Sequence, residues 1–241
     1  MSATPSRVAV ADALASVERR LLRSVEPSPP DRALSEAPQR PRPVVAVIGL
    51  RRGCGATTLA RALAVELAAR DPARAAAVCG RAPSGPAPLR SAAAARLART
   101  LSAVAPGGSR AAGRLCLVET EQLLALTAAA MDVAPLVLDV RAGAPAAAAA
   151  SLADHVVIVA PSGLEPSLAA VVVASLARVG PEPICVVNRA RDPGPWTGRA
   201  AVLLPETRLG ARLAGAGHGT RGAFGRALAE LADRCGTVPY D

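Results

Sequence analysis

The chain has 241 residues and a mass of 24.2 kDa, which suits one large α/β domain or two small ones. Its 28 basic residues are all arginine and outnumber 19 acidic residues, so the formal net charge is +9. Hydrophobic residues make up 51% of the chain, which excludes a disordered tail protein, and aromatic residues make up only 1%, which argues against base stacking on single-stranded nucleic acid.

The sequence also argues against membrane and secreted classes. No apolar run approaches the roughly 20 residues that a spanning helix requires. The N-terminus lacks the apolar core of a signal peptide. Five scattered cysteines without a C-x-x-C pair are typical of a reduced compartment. We therefore expect a cytoplasmic protein without stable membrane insertion.

Residues 1–25 predict an N-terminal amphipathic helix. Its apolar residues recur at intervals of three or four positions, at Val10, Leu14, Val17 and Leu21. Residues 26–42 are proline-rich and predict a linker. About two heptads are too short to form a stable helix alone, so the helix needs a surface to pack on. That surface is either its own domain or a protein partner, including a second copy.

Residues 43–236 predict one α/β domain, because short apolar runs alternate with alanine- and leucine-rich helical stretches. The predicted strands are Val44–Ile48, Ala76–Cys79, Leu115–Val118, Leu136–Asp139, His155–Ala160, Ile184–Val187 and Ala201–Leu204, and the predicted helices lie near 57–70, 89–104, 120–131, 164–178 and 220–234. Continuous apolar strands separated by helices predict a doubly wound, mostly parallel sheet with helices on both faces. Ligands of such sheets bind at the carboxyl ends of the strands. We therefore expect the site in the loops at 49–57, 140–143, 160–164 and 188–193.

The loop after the first strand is rich in glycine and precedes a helix, which is the layout of a phosphate-binding loop. Gly53 and Gly55 would let backbone amides approach an anion, and the helix N-terminus adds a fixed positive partial charge. The Thr57 hydroxyl stands where Mg²⁺ is bound. The usual pattern G-x-x-x-x-G-K-[ST] would place glycine at Leu50 and lysine at Ala56, and the chain has neither.

At this loop the chain resembles the MinD/ParA-type ATPases of the deviant-Walker-A class (SIMIBI class), whose loop reads K-G-G-x-G-K-[ST]-[ST]. Four further segments resemble family motifs in the same order: Leu136 to Gly143 the D-x-P-x-G strand and loop, Ala153 to Val159 the A-D-x-V-x-x-V strand, Val186 to Arg189 the V-N-R motif, and Leu204-Pro205-Glu206 the I-P-x-D segment. The resemblance covers roughly residues 43–235 and implies the P-loop NTPase fold.

The resemblance implies ATP or ADP and Mg²⁺ as cofactors. It places Arg51 at the signature lysine that reaches across a homodimer, Asp139 at the magnesium-binding carboxylate, and Asn188 at the asparagine that pairs with adenine. Asn188 is the only asparagine of the chain, and asparagine is also an ordinary turn residue after a strand. The expected metal ligands are Thr57 and Asp139. The expected nucleotide-binding residues are Arg51, Arg52, Gly53, Cys54, Gly55, Ala56, Thr57, Thr58, Asn188 and Arg189.

Two residues that the family uses for hydrolysis are absent. Ala56 replaces the phosphate lysine, and no aspartate follows the predicted second strand, where the chain reads Val78-Cys79-Gly80-Arg81. Losing one charge-assisted hydrogen bond of roughly 1.5–3 kcal/mol weakens binding by about 10- to 100-fold, whereas a cation on the transferring phosphoryl group contributes about 10³–10⁵ in rate. We therefore expect nucleotide binding with weak or absent hydrolysis.

The expected function is a positioning, assembly or partitioning switch, as in the similar CpaE- and TadZ-like proteins. Two alternatives stay open: a scaffold that has lost nucleotide, and a working ATPase that binds DNA without sequence specificity. The second alternative would use a basic surface, with candidate residues Arg90, Arg96, Arg99, Arg110 and Arg114. An arginine-rich but merely solvated surface explains the same composition.

Overall fold

The computed structural model describes residues 42–80, 90–105, 108–190, 196 and 202–236. The predicted N-terminal helix and nearly all of the predicted linker therefore lie outside the described residues. Arg42, the last residue assigned to the linker, packs on the domain: its guanidinium forms an ion pair with Asp71 at 2.9 Å and donates to the carbonyl of Asp132. The side chains of Arg42 and Asp71 are only 15% and 10% exposed, so the packed domain includes Arg42.

The strands that the structure describes form one eight-stranded sheet in the order β3-β4-β2-β5-β1-β6-β7-β8. They are β1 (Val44–Gly49), β2 (Ala76–Cys79), β3 (Ser109–Ala112), β4 (Leu115–Val118), β5 (Leu136–Arg141), β6 (His155–Pro161), β7 (Ile184–Asn188) and β8 (Val202–Leu204). All neighbours pair in parallel except β3 and β4, which form an antiparallel edge. The central strands are apolar on both faces because helices cover both faces.

The helices are α1 (Ala56–Arg70), α2 (Ala92–Leu101), α3 (Leu123–Ala130), α4 (Ala144–Leu152), α5 (Pro166–Leu176), α6 (Arg208–Gly215) and α7 (Gly222–Cys235), with a 3₁₀ turn at Ser102–Val104. The sheet face that includes Val45 and Val47 packs against α1, α6 and α7. The opposite face, which includes Ala46 and Ile48, packs against α2, α3, α4 and α5.

The structure confirms the doubly wound α/β fold and the seven predicted strands, with ends that differ by no more than two residues. It adds β3, α4 and α6 to the elements that the periodicity predicts. The β3 sequence, Ser-Arg-Ala-Ala, has no β-branched residue and forms a strand because it pairs with β4 across a tight turn at Gly113 and Arg114. Helix α4 forms because alanine is the strongest helix former, and a run of alanines has no apolar periodicity that would reveal it in the sequence.

Strand register places the carboxyl ends of the central strands side by side. Val47 pairs with Asp139 and Gly49 pairs with Arg141, so the loop after β1 begins beside the end of β5. Asn188 ends β7 at the same edge, opposite Pro161 of β6. Among the described residues, no helix has both the length and the apolar character needed to cross a bilayer.

Candidate functional site

The turn between β1 and α1 exposes backbone amides at a helix N-terminus. Gly53 and Gly55 adopt positive φ angles of 77° and 90°, which side chains rarely tolerate. Helix α1 begins at Ala56, and no side chain caps its first turn. The first amides of an α-helix have no partner within the helix, so this end offers hydrogen-bond donors and a positive dipole to an anion.

The residues of this turn line a cavity of about 550 Å³ at the carboxyl edge of the sheet. Of the expected site residues, all except Asn188 line it. The lining residues are Gly49, Leu50, Arg51, Arg52, Gly53, Cys54, Gly55, Ala56, Thr57, Thr58, Asp139, Val140, Arg141, Ala142 and Arg189. The loops after β1, β5 and β7 thus contribute as expected, whereas the loop at 160–164 does not reach this cavity.

The cavity is strongly positive. Four arginines are among its lining residues, Arg51, Arg52, Arg141 and Arg189, against one acidic residue, Asp139. Arg189 holds a positive φ of 59°, a backbone conformation that is uncommon outside glycine and often marks functional positions. This excess of cations suits a polyphosphate more than a neutral ligand.

Asp139 lies between a hydroxyl and two cations. Burial raises the pKa of Asp139 above its ordinary value, while a hydrogen bond from the Thr57 hydroxyl and the charges of Arg61 and Arg141 oppose that rise. Burial likewise lowers the pKa of Arg61, and Asp139 opposes that change. Arg61 lies one helical turn after Thr57 on α1, so both side chains point to the same side of the helix. The Thr57 hydroxyl and the Asp139 carboxylate are therefore neighbours, as a shared divalent cation requires.

The raised pKa of Asp139 gives a stability prediction. Ionised Asp139 destabilises the ligand-free protein, and this destabilisation develops as the pH rises from the ordinary pKa of an aspartate to the raised pKa. Asp139→Asn is therefore expected to raise the melting temperature at pH 8, with the difference vanishing below the ordinary pKa of an aspartate. Thermal melts of the ligand-free protein across pH measure this. The control is Asp233→Asn on α7, whose ion pair with Arg70 is exposed and contributes little. A lower melting temperature for Asp139→Asn at pH 8 would contradict the prediction.

Asn188 contacts the glycine-rich turn. Its Nδ2 donates to the carbonyl of Cys54 at 2.8 Å, and its Oδ1 accepts from the backbone amide of Arg189 at 2.9 Å. A Cβ added at Gly55 would overlap Nδ2 of Asn188, so the turn needs glycine there for this contact as well as for its positive φ. The structure thus gives Asn188 a role as a brace of the turn, in addition to the base contact expected from the sequence.

Ala56, which stands where the family has a phosphate-binding lysine, places a methyl group against β1. A Cβ added at Gly49 would lie 2.9 Å from the Ala56 Cβ and 3.0 Å from the Cys54 Sγ. The Ala56 methyl and the buried Cys54 thiol thus pack under the turn beside Gly49, and the turn itself leaves the cavity above open. Cys54 serves as a small buried residue whose carbonyl receives Asn188.

The residue just after β2 is Gly80, where no aspartate is present. A Cβ added at Gly80 would lie 3.0 Å from the Asp139 Cβ, so Gly80 leaves room for Asp139. Residues 81–89, which contain no aspartate or glutamate, lie outside the described residues. A second cavity of about 470 Å³ adjoins the first at Asp139 and is lined by Glu119 and Glu121 after β4. Burial raises the pKa of the Cys79 thiol, which also lines this cavity, to about 11.

Sequence reasoning missed Arg61, Glu119 and Glu121 as neighbours of the site. Arg61 stands four residues after Thr57, and helical spacing was the signal that could have found it. Glu119 and Glu121 follow β4, and only the strand order β4-β2-β5 brings them near Asp139.

The five candidate arginines for DNA do not share one face of the sheet, because Arg96 and Arg99 lie on α2 whereas Arg114 lies near Glu66 of α1 on the opposite face. They lie before α2, on α2, on β3 and in the turn between β3 and β4, and α2 packs on both strands. All are exposed except Arg110, which is half-buried. DNA binding by these arginines stays a prediction.

No protein-family model matches the chain, and no curated protein matches it in sequence. Solved structures do match it. A ParA family ATPase from Chlorobium tepidum is 13% identical with a TM-score of 0.55, covering 80% of this chain and 98% of its own. The complex of the cell division proteins MinC and MinD from Aquifex aeolicus matches at 14% identity and a TM-score of 0.54, covering 83% and 99%.

The complex of Cyanothece McdA with ATP is 14% identical with a TM-score of 0.53, covering 81% of this chain and 96% of its own. The chain therefore has the fold of ParA- and MinD-type P-loop ATPases, and it spans nearly the whole length of these neighbours. At such low identity the likeness establishes the fold alone.

Proposed function

We propose that the chain binds ATP or ADP together with Mg²⁺ at the cavity beside α1, and that it acts as a positioning or assembly switch with weak or absent hydrolysis. One observation carries the proposal. An uncapped helix N-terminus and a positive-φ glycine turn face a cavity lined by four arginines, with a hydroxyl and a carboxylate paired at its edge.

The residues fit a triphosphate. Nothing lies within 4 Å of a Cβ added at Gly53, so the backbone there is open to close approach. The amides of the first turn of α1, Ala56, Thr57 and Thr58, would bind phosphate oxygens. Arg51, Arg52 and Arg189 would supply the positive charge that the missing lysine does not.

The residues also fit a magnesium ion. The Thr57 hydroxyl and the Asp139 carboxylate are oxygen ligands of the kind that Mg²⁺ prefers, and Mg²⁺ usually completes its shell with phosphate oxygens and water. When bound, the ion would neutralise phosphate charge. Binding would also separate Thr57 from Asp139 and compete with Arg61 and Arg141 for the carboxylate.

Two parts of the proposal, that the base is adenine and that the protein acts as a switch, are inferred from the fold. Neighbours of this fold include McdA, solved with ATP, and MinD, solved with its partner MinC. We propose a similar arrangement here, in which the nucleotide state decides partner binding and Arg51 reaches the nucleotide of a second copy. The lack of lysine at Ala56 and of a carboxylate at Gly80 supports binding without efficient turnover.

Calorimetric titration of the full chain with ATP tests the proposal. We expect saturable binding, strengthened by Mg²⁺ and weakened by EDTA, with phosphate release near background. Thr57→Val is expected to remove the Mg²⁺ effect, because it replaces the hydroxyl beside Asp139 by a methyl group. Thr100→Val, on α2 away from the cavity, is the matched control and should leave binding unchanged.

Two outcomes would contradict the proposal. No binding at millimolar nucleotide would favour the nucleotide-free scaffold. Phosphate release well above background that Arg51→Ala abolishes would instead identify a working ATPase.

A further inference from the structure

Three neighbouring helices on one face of the sheet carry no charge. Helices α3, α4 and α5 contain 8, 9 and 11 residues, and none of these is aspartate, glutamate, lysine or arginine. Every other α-helix among the described residues carries at least two charged residues. A solvated helical surface normally mixes both charge signs, so this surface is set apart in an arginine-rich chain.

Large apolar side chains stand out from this surface on α5. Leu168 is 60% exposed and Val171 is 66% exposed, and their spacing of three residues places them on the same side of the helix. Val179, just after α5, is also exposed. Between the ends of α5 the exposed residues around them are small, and the charged residues Glu165 and Arg178 stand just outside the helix. We call this surface the α4–α5 face: Leu168, Val171, Val179, and the alanines and serines at Ala147, Ala148, Ser151, Ala170, Ala174 and Ser175.

We propose that the N-terminal segment, residues 1–25, packs on the α4–α5 face of its own domain. The apolar stripe of the segment, at Val10, Leu14, Val17 and Leu21, requires burial, and the face presents uncovered apolar side chains with charge only at its two ends, at Glu165 and Arg178. The segment and the face can therefore bury each other's apolar side chains. The proposal is independent of nucleotide binding.

The chain joins the domain next to this face. The Val44 amide donates to the Asp154 carboxylate at 2.9 Å, and the Asp154 amide donates to the Val44 carbonyl at 2.8 Å. The start of β1 therefore lies beside Asp154, which is two residues after the last residue of α4. A Cβ added at Gly180 would overlap the Ala150 carbonyl, so the chain leaving α5 touches the last turn of α4. The C-terminal ends of both helices therefore lie at the edge where residue 42 leads back to the segment.

The linker is long enough for this arrangement. Residues 26–41 span up to about 50 Å if they are extended in the manner of proline-rich chains. Helix α5, with 11 residues, is about 16 Å long. The segment can therefore lie along α5 in either direction.

Tethering favours the segment over a second copy of the chain. A surface joined to its ligand by a short linker sees that ligand at an effective concentration in the millimolar range. A second copy at micromolar concentration would have to compete with the tethered segment. Docking would also keep the apolar stripe from other partners until something displaced it.

Hydrogen exchange of the full chain, followed by mass spectrometry, tests the proposal. We expect slow exchange in residues 8–23 at all protein concentrations. The double variant Leu168→Glu/Val171→Glu should speed that exchange about tenfold or more, because it removes the apolar contact. The reverse double variant Leu14→Glu/Val17→Glu should do the same while leaving the fold intact by circular dichroism. The control is Leu209→Glu on α6, since Leu209 is also 66% exposed but lies in the opposite helix layer.

Two results would overturn the proposal. Unchanged exchange of residues 8–23 in Leu168→Glu/Val171→Glu would show that the segment does not use this face. Protection that disappears on dilution would show that a second copy covers it. A cysteine pair, Leu14→Cys with Val171→Cys, separates these cases independently, because an intramolecular contact gives cross-linked monomer and an intermolecular contact gives cross-linked dimer.

Discussion

Ala56→Lys is expected to raise the affinity for ATP by about 10- to 100-fold, because it adds one charge-assisted hydrogen bond of roughly 1.5–3 kcal/mol to the phosphates. Ala56 lines the cavity and opens α1, so the added side chain starts at the wall of the cavity, where its methyl group now packs beside Gly49. Calorimetric titration of wild type and variant with ATP and Mg²⁺ measures the change. Phosphate release should stay near background, because Gly80 still provides no carboxylate at the end of β2.

The control for this prediction is Ala56→Met, which adds comparable length without charge. Equal affinity of the lysine and methionine variants would mean that side-chain packing, rather than an ammonium group, limits binding. A large gain in turnover for Ala56→Lys would contradict the second part of the prediction. In that case the carboxylate used for hydrolysis would be sought at Glu119 or Glu121, which line the second cavity together with Asp139.

Asn188→Asp is expected to lower nucleotide affinity by about 10- to 100-fold, since it leaves a carboxylate facing the Cys54 carbonyl in place of a hydrogen bond of 2.8 Å. Asn188→Ala should have a smaller effect in the same direction. If Asn188 acts as a brace of the turn, each variant loses as much affinity for GTP as it loses for ATP. Titration with each nucleotide measures this ratio.

The control for the added charge is Ala190→Asp, two residues further along, which introduces a carboxylate just beyond the strand, at a partly buried position beside Val187. A loss confined to ATP in Asn188→Ala would instead support the adenine contact expected from the sequence. A loss of equal size in Ala190→Asp would show that charge near the cavity, and not the bond to Cys54, is the cause.

The predicted strands correspond closely to the structure because each is a short continuous apolar run that two helical layers bury on both faces. The phosphate-binding turn could also be found from the sequence, since its glycines, its threonines and the start of α1 are contiguous. Local conformational preference governs such features, and a single stretch of sequence carries them. The register between β1 and β5, which places Asp139 beside the turn, follows from the parallel order that the fold imposes.

The sequence by itself determined the fold class and the position of the anion-binding turn, because periodicity and glycine placement are local properties. Only the tertiary structure decided the partners of individual side chains. Asn188 meets Cys54 across 134 residues, Gly80 makes room for Asp139 from another strand, and the uncharged helices become one face only when the sheet sets them side by side. These contacts depend on long-range packing, in which hydrogen bonds and burial are satisfied between elements that no local pattern connects.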